Sequence, residues 1–179
     1  MRLSHLGLLR GADTKYRIPC SIMGAIVDLA IVAAQAEGQV LSSPEPLSVW
    51  GGVDPATAEV IDIHHPLCGQ TLAGKILMLP GTRGSCTGSG VVLDMILSGR
   101  GPAALVFTDP EDVATLGVLV AAELFGLRVP VLRLQPASMS GYWCNWGGDH
   151  RGVTVRVSEE GGPKTRLEHR MADASCNPY

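Results

Sequence analysis

Between residues 75 and 134 the sequence alternates apolar runs with stretches of helical periodicity, which limits the fold more than any other feature. Three apolar runs, each bounded by Gly or Pro, are typical of buried strands. They occupy residues 75–79, 103–108 and 129–134. Residues 90–98 and 113–125 repeat apolar side chains at helical spacing, and Gly126 stands where the second helix would end. This order predicts a βαβαβ unit with right-handed crossovers and a parallel sheet.

Upstream of this unit, two short apolar segments at 47–50 and 60–64 predict further strands. The turn-forming residues Gly51, Gly52 and Asp54 lie between them, so we expect a β-meander here. The fold class is therefore α/β with an additional β portion. The chain is expected to bury one core, because 46% of its 179 residues are hydrophobic.

The chain ends differ in character from this central part. Residues 152–157, "GVTVRV", alternate as a strand, whereas the polar residues 158–179 predict no regular structure. We therefore divide the chain into an N-terminal extension at 1–37, a main domain at 38–136, and a C-terminal strand with a flexible tail at 137–179.

An apolar run at 20–38 follows several basic residues and resembles a signal peptide. Asp28 interrupts it, it begins late for a signal peptide, and it is too short to span a bilayer. A buried strand or helix, or a non-native extension, is favoured over export.

Charge and cysteine usage exclude several classes of protein. The 14 basic and 17 acidic residues give a net charge of −3 and form no basic stripe, so neither nucleic acid nor a membrane is an expected partner. The five cysteines are odd in number and form no C-x-x-C pair, which argues against a disulfide framework and a zinc site. A reducing cytoplasm fits this pattern best.

The most informative local motif is "PGTRGSCTGSG" at 80–90, which follows the predicted strand at 75–79. Ligands gather at the carboxyl ends of parallel strands, and a helix entrance favours anions. The motif lacks the lysine of a phosphate-binding P-loop and is not the G-x-S-x-G of a hydrolase. Arg83 suits a carboxylate or phosphate, whereas Ser85 is interpreted either as a helix cap or as a reacting group. The simpler alternative is a tight strand-to-helix connection.

Several motifs in the same order resemble the small subunit, or swivel domain, of the aconitase X family. They are "PLSVWGGVDP", "IDIHHPL.G..L.GKIL..P", "RGS.TGSG" and "LG.LVA.ELFG..VPV", within residues 46–132. The resemblance implies an aconitase-like swivelling β/β/α domain. It also implies a hydro-lyase that is active only with a larger partner, which carries an iron–sulfur cluster or iron, and no metal site on this chain.

The resemblance further implies that Ser85 is the base that removes a proton α to a substrate carboxylate. Arg83 and the helix-end N–H groups would hold an anionic group of the substrate. The other expected substrate-binding residues are Gly84, Cys86, Thr87 and Ser89, with supporting contacts from Asp54, His64 and His65. Cys86 departs from the family, which commonly has a second serine there, and this puts the second hydroxyl contact in doubt.

Two substrates are implied by the family: cis-3-hydroxy-L-proline and mevalonate 5-phosphate. The first is favoured, because archaeal small subunits of the second type are compact and lack long extensions. Two interpretations of a different class remain open. His64 and His65 lie before Pro66 and would suit a phosphohistidine carrier, although an imidazole that orders the turn near Asp62 explains them more simply. Cys86 and the chain ends would suit a non-catalytic regulatory subunit.

Overall fold

The computed structural model describes residues 16–17, 26–134, 153–160 and 164–171, with side chains described for residues 30–134. These residues form twelve strands and two helices. The strands are β1 (Tyr16–Arg17), β2 (Ile26–Val32), β3 (Ala36–Ser42), β4 (Leu47–Ser48), β5 (Val53–Asp54), β6 (Glu59–Val60), β7 (Ile76–Leu79), β8 (Thr82–Arg83), β9 (Ala104–Phe107), β10 (Val131–Leu134), β11 (Val153–Glu160) and β12 (Lys164–Met171). The helices are α1 (Gly88–Leu97) and α2 (Val113–Phe125).

Eight strands form one sheet in the order β1-β2-β10-β9-β7-β3-β11-β12. The four central strands β10, β9, β7 and β3 are mutually parallel, with Ile76 opposite Ala104 and Val40 opposite Ile76. Antiparallel β2 and β11 extend the sheet on either side. The predicted βαβαβ unit is confirmed as β7-α1-β9-α2-β10, and the fold is α/β with an additional β portion.

Both helices cover one face of the sheet. The crossovers from β7 to β9 and from β9 to β10 advance in the same direction, which places α1 and α2 side by side. Alternate strand residues join the helices in the main core: Leu77, Leu79, Leu105, Phe107 and Val131. The intervening residues of β7 and β9 are also buried. Continuous apolar runs are therefore explained by strands that are buried on both faces.

The helix ends follow local rules. Gly126 adopts a left-handed conformation with φ of +70°, and the N–H groups of Gly126 and Leu127 donate to the carbonyls of Ala122 and Ala121. The predicted end of α2 at Gly126 is confirmed. Helix α1 begins at Gly88, two residues before the predicted start at 90, because the turn preceding it already closes helical hydrogen bonds.

The predicted β-meander at 47–64 is wrong. Strand β4 instead pairs in parallel with β8, and the two-residue strands β5 and β6 form an antiparallel hairpin around the loop at 55–58. The strand expected over 60–64 ends at Val60, since the N–H groups of Ile61 and Asp62 both donate to the Gly52 carbonyl. Two donors on one acceptor turn the chain away from an extended path.

The apolar run at 20–38 contributes strand β2 and the first three residues of β3, so a strand is present, but Val32 is the one buried side chain among those described in this run. Strand β11 corresponds to the strand predicted at 152–157. The expectation that residues 158–179 have no regular structure is wrong for β12, which pairs with β11 over eight residues. Domain boundaries at 37 and 136 stay predictions, and β3 spans the first of them.

Candidate functional site

The predicted site turn is anchored at both ends by secondary structure. It follows β7, includes β8 and leads into α1. The parallel pairing of β8 with β4 sets Arg83 opposite Ser48. Gly84 has φ of +99°, and a Cβ there would lie 3.2 Å from the Ser48 hydroxyl oxygen. A glycine therefore lets the chain turn sharply between Arg83 and Ser85.

Ser85 and Thr87 form a reciprocal pair on the exposed side of this turn. The Ser85 hydroxyl donates to Thr87 Oγ1 at 3.0 Å, and the Thr87 N–H donates back to Ser85 Oγ at 3.2 Å. The hydroxyl of Ser85 thus has a hydrogen-bond acceptor, and its oxygen receives an N–H bond that would stabilise negative charge there. This arrangement suits a hydroxyl that acts as a base.

The first N–H groups of α1 already have acceptors within the turn. Gly88 N donates to Ser85 O at 2.9 Å, Ser89 N to Cys86 O at 3.1 Å, and Gly90 N to Thr87 O at 3.0 Å. The Ser89 hydroxyl also donates to Cys86 O, at 2.8 Å. By contrast, the N–H groups of Ser85 and Cys86 have no acceptor among the described residues. Backbone binding of an anion would therefore depend on these two groups rather than on the first turn of α1.

Arg83 is half-exposed, yet two of its nitrogens are held in place. Nη2 donates to Asp62 Oδ2 at 3.0 Å in an ion pair, and Nε donates to the Pro46 carbonyl at 3.1 Å. A guanidinium has five N–H groups, so three remain for another acceptor. The site thus combines a fixed cation with the Ser85 hydroxyl two residues further along.

The residues expected to support the site divide into two groups. His65 is buried: its Nδ1 accepts from Leu67 N at 3.2 Å, so Nε2 carries the proton that it donates to the Glu45 carbonyl at 3.2 Å. With both nitrogens engaged, His65 orders its turn and is a poor phosphate acceptor. His64 is exposed, and its backbone N–H donates to Asp62 Oδ1. Asp54 binds Ala56 and Thr57 of its own turn.

Glu111 connects the site turn to helix α2, a link that the sequence analysis missed. This buried carboxylate accepts from the Thr82 hydroxyl and from the N–H groups of Ala114 and Thr115 at 2.9 and 3.0 Å. The sequence signal was an acidic residue directly before an apolar helical pattern, because a carboxylate there is attracted to the free N–H groups of the helix start. Glu111 therefore fixes β8, which carries Arg83, against the start of α2.

The described residues do not fit an iron–sulfur cluster or another metal centre. No group of three His, Cys, Asp or Glu side chains among them is close enough to hold a metal ion. Cys68 and Cys86 are both exposed free thiols. Among the same residues, no helix is long and apolar enough to cross a membrane.

The aconitase X swivel-domain family model matches residues 25–154, which include the whole site turn. The chain belongs to this family. A second family model, that of the glutamine synthetase catalytic domain, matches residues 131–179 and overlaps the end of the first match.

Two kinds of named relative are similar to this aconitase X swivel domain. The cis-3-hydroxy-L-proline dehydratase of Pseudomonas aeruginosa is 54% identical over 106 residues, which are 59% of this chain and 18% of that protein. The phosphomevalonate dehydratase small subunit of Methanothermobacter thermautotrophicus is 42% identical over 96 residues, which are 53% of this chain and 73% of that subunit. The chain therefore spans less than a fifth of the first relative's length.

A solved structure supports the same fold. The holo-form of Thermococcus kodakaraensis aconitase X superimposes on this aconitase X swivel domain with a TM-score of 0.62 and 30% identity. The match covers 79% of this chain and 94% of that chain. The expected swivel-domain architecture is therefore confirmed.

Proposed function

We propose that this chain is the small, swivelling part of an aconitase X-type dehydratase, which eliminates water from a β-hydroxy carboxylate. The observation that carries the proposal is the Arg83-Gly84-Ser85 turn. There a fixed guanidinium lies two residues before a hydroxyl that has both a hydrogen-bond acceptor and an N–H donor. The turn lies within the segment that matches the family.

Ser85 is the proposed base. Its own proton passes toward solvent through the exposed Thr87 hydroxyl, and the Thr87 N–H stabilises the alkoxide. Ser85 Oγ then takes the proton α to the substrate carboxylate. The electron pair of the C–H bond forms a double bond to the β carbon, and the C–O bond to the hydroxyl breaks. Taking the α proton restores the Ser85 hydroxyl, and the proton that Ser85 first released to solvent combines with the departing hydroxide to make one molecule of water.

Substrate binding is proposed for Arg83, with the backbone N–H groups of Ser85 and Cys86 next to it. A planar fork of N–H donors matches a carboxylate better than a single ammonium does. Gly84, Thr87 and Ser89 shape the turn through the contacts described above. Cys86 offers its backbone, and its thiol stands where the family commonly has a hydroxyl.

The favoured substrate is cis-3-hydroxy-L-proline. Identity to relatives named for this dehydration reaches 54%, compared with 42% and 44% for two archaeal phosphomevalonate dehydratase small subunits. Mevalonate 5-phosphate is the second candidate, because the match to the first of these subunits covers 73% of its length.

A larger partner is proposed to complete the enzyme and to carry the iron–sulfur cluster or iron. This assignment is supported by the dispersed, exposed thiols of Cys68 and Cys86 and by the name "small subunit" of several relatives. Activation of the leaving hydroxyl is accordingly assigned to the partner. Free thiols also support a cytoplasmic location.

The test is an assay of the complete enzyme with both substrates under the same conditions. We expect dehydration of cis-3-hydroxy-L-proline with a higher kcat/KM than that of mevalonate 5-phosphate. The reverse order would shift the assignment to the second substrate. An enzyme that dehydrates neither would overturn the proposed function.

A further inference from the structure

Asp62 lies in the turn after β6, outside the residues that the sequence or the family resemblance assigned to the site. Its carboxylate is largely buried, with 17% of the side chain exposed, whereas the Arg83 side chain is 54% exposed. Asp62 Oδ2 accepts from Arg83 Nη2 at 3.0 Å, and Oδ1 accepts from His64 N at 3.0 Å. The two oxygens therefore hold different parts of the structure together.

The backbone around Asp62 is fixed by a close approach. Asp62 N donates to the Gly52 carbonyl at 3.3 Å. A Cβ on Gly52 would lie 2.2 Å from the Ser48 carbonyl oxygen and 3.5 Å from Asp62 Cβ. The absence of a side chain at Gly52 thus lets the Asp62 turn pack against β4, the strand that pairs with β8 and Arg83.

The bonds of Arg83 occupy one edge of its planar guanidinium. Nε bonds to the Pro46 carbonyl and Nη2 to Asp62, and these two nitrogens flank the same edge. The adjoining edge, formed by Nη1 and Nη2, keeps N–H groups for a second bidentate acceptor. A carboxylate is the acceptor whose geometry matches that edge.

We propose that Asp62 is a positioning residue that orients Arg83 for the substrate carboxylate. This inference rests on the proposed function and adds a residue to it. An ion pair with an exposed arginine contributes little to stability. If Asp62 only stabilised the fold, its loss should therefore change KM little. A positioning role predicts instead a weaker interaction with substrate, because a guanidinium in the wrong orientation loses its bidentate contact with the carboxylate.

The kinetic test compares Asp62→Ala and Asp62→Asn in the complete enzyme, with Asp94→Asn on the exposed side of α1 as the matched control. Asp62→Ala should raise KM about tenfold or more, the effect of losing a charge-assisted hydrogen bond. Asp62→Asn, which keeps an oxygen acceptor, should recover part of the loss, and Asp94→Asn should behave as wild type.

A double substitution separates positioning from other roles. If Asp62 acts through Arg83, adding Asp62→Ala to Arg83→Ala should leave KM where Arg83→Ala alone puts it. An unchanged KM in Asp62→Ala would overturn the proposal. So would an Asp62→Ala substitution that raises KM by the same factor in the Arg83→Ala background as in the wild type.

A measurement without substrate distinguishes this proposal from the proposed function. In NMR spectra of the full chain, Arg83→Lys identifies the Arg83 Nε–H signal by removing it. Asp62→Ala should speed exchange of that signal with water, and Asp94→Asn should not. Unchanged exchange would overturn the positioning role. A wild-type enzyme inactive on both substrates would overturn the proposed function, and with it this role in the reaction, whatever the exchange rate shows.

Discussion

The proposed base depends on the contact between Ser85 and Thr87. The Thr87 hydroxyl is the acceptor for the Ser85 proton, whereas the Thr87 N–H belongs to the backbone and survives any substitution. Thr87→Val has nearly the same shape without the oxygen, so we expect kcat to fall about tenfold, the effect of one lost hydrogen bond to a reacting group. Thr87→Ser restores the hydroxyl and should restore most of kcat. Equal activity in the two variants would contradict this role.

Residues of the site turn were predicted from sequence, and their partners were not. One short glycine-rich motif contains Arg83, Ser85 and Thr87. Residue types and their spacing are enough to identify such a motif without the tertiary structure. Asp62 and Glu111 contact β8 across 21 and 29 positions of sequence. Such contacts depend on how β4, β8 and α2 come together, which no local pattern encodes.

At the scale of elements, α1 and α2 cross where α2 carries no side chain. A Cβ on Gly117 would lie 2.4 Å from the Ser89 carbonyl oxygen and 3.1 Å from Val92 Cβ. Gly117→Ala should therefore separate the helices and reduce the free energy of unfolding by about 1–3 kcal/mol, as measured by denaturant titration. The control is Gly90→Ala in α1, where a Cβ would meet open space. It should leave the free energy of unfolding at the wild-type value or raise it. Equal stability of both variants would contradict the close crossing.

Elements with strong periodicity were predicted correctly. Helix α2 begins and ends at the predicted residues, because its 13-residue apolar pattern and the helix-ending Gly126 determine both boundaries. Strand β12 was missed because Lys164–Met171 is mostly polar, and only its pairing with β11 makes it extended. Where local sequence signals are weak, hydrogen bonds to neighbouring strands thus determine whether a segment forms a strand.

At the scale of the whole molecule, large apolar side chains remain on the surface. Trp50 is 56% exposed, Ile63 78% and Leu124 74%. Ile63 follows Asp62, so part of this surface adjoins the site. Exposed apolar area next to the site turn is expected for a domain that closes over a larger partner.

The isolated chain is therefore expected to have no dehydratase activity and to contain no stoichiometric iron. Activity should appear on adding the partner, and iron should copurify with that partner. Turnover assays and metal analysis of the separate and combined proteins measure both. Activity of the chain alone, or one iron per chain, would contradict the two-part enzyme.

The most direct test of the central claim is the turnover of Ser85→Ala in the complete enzyme, with substrate affinity and folded fraction measured on the same sample. Because a base acts mainly in the transition state, kcat should fall by about 10²–10⁴-fold. Affinity should stay within a few-fold, and Ser98→Ala at the end of α1 should retain wild-type kcat per folded molecule. A Ser85→Ala enzyme that keeps more than about a tenth of wild-type kcat, or loses kcat only in step with its folded fraction, would contradict the account.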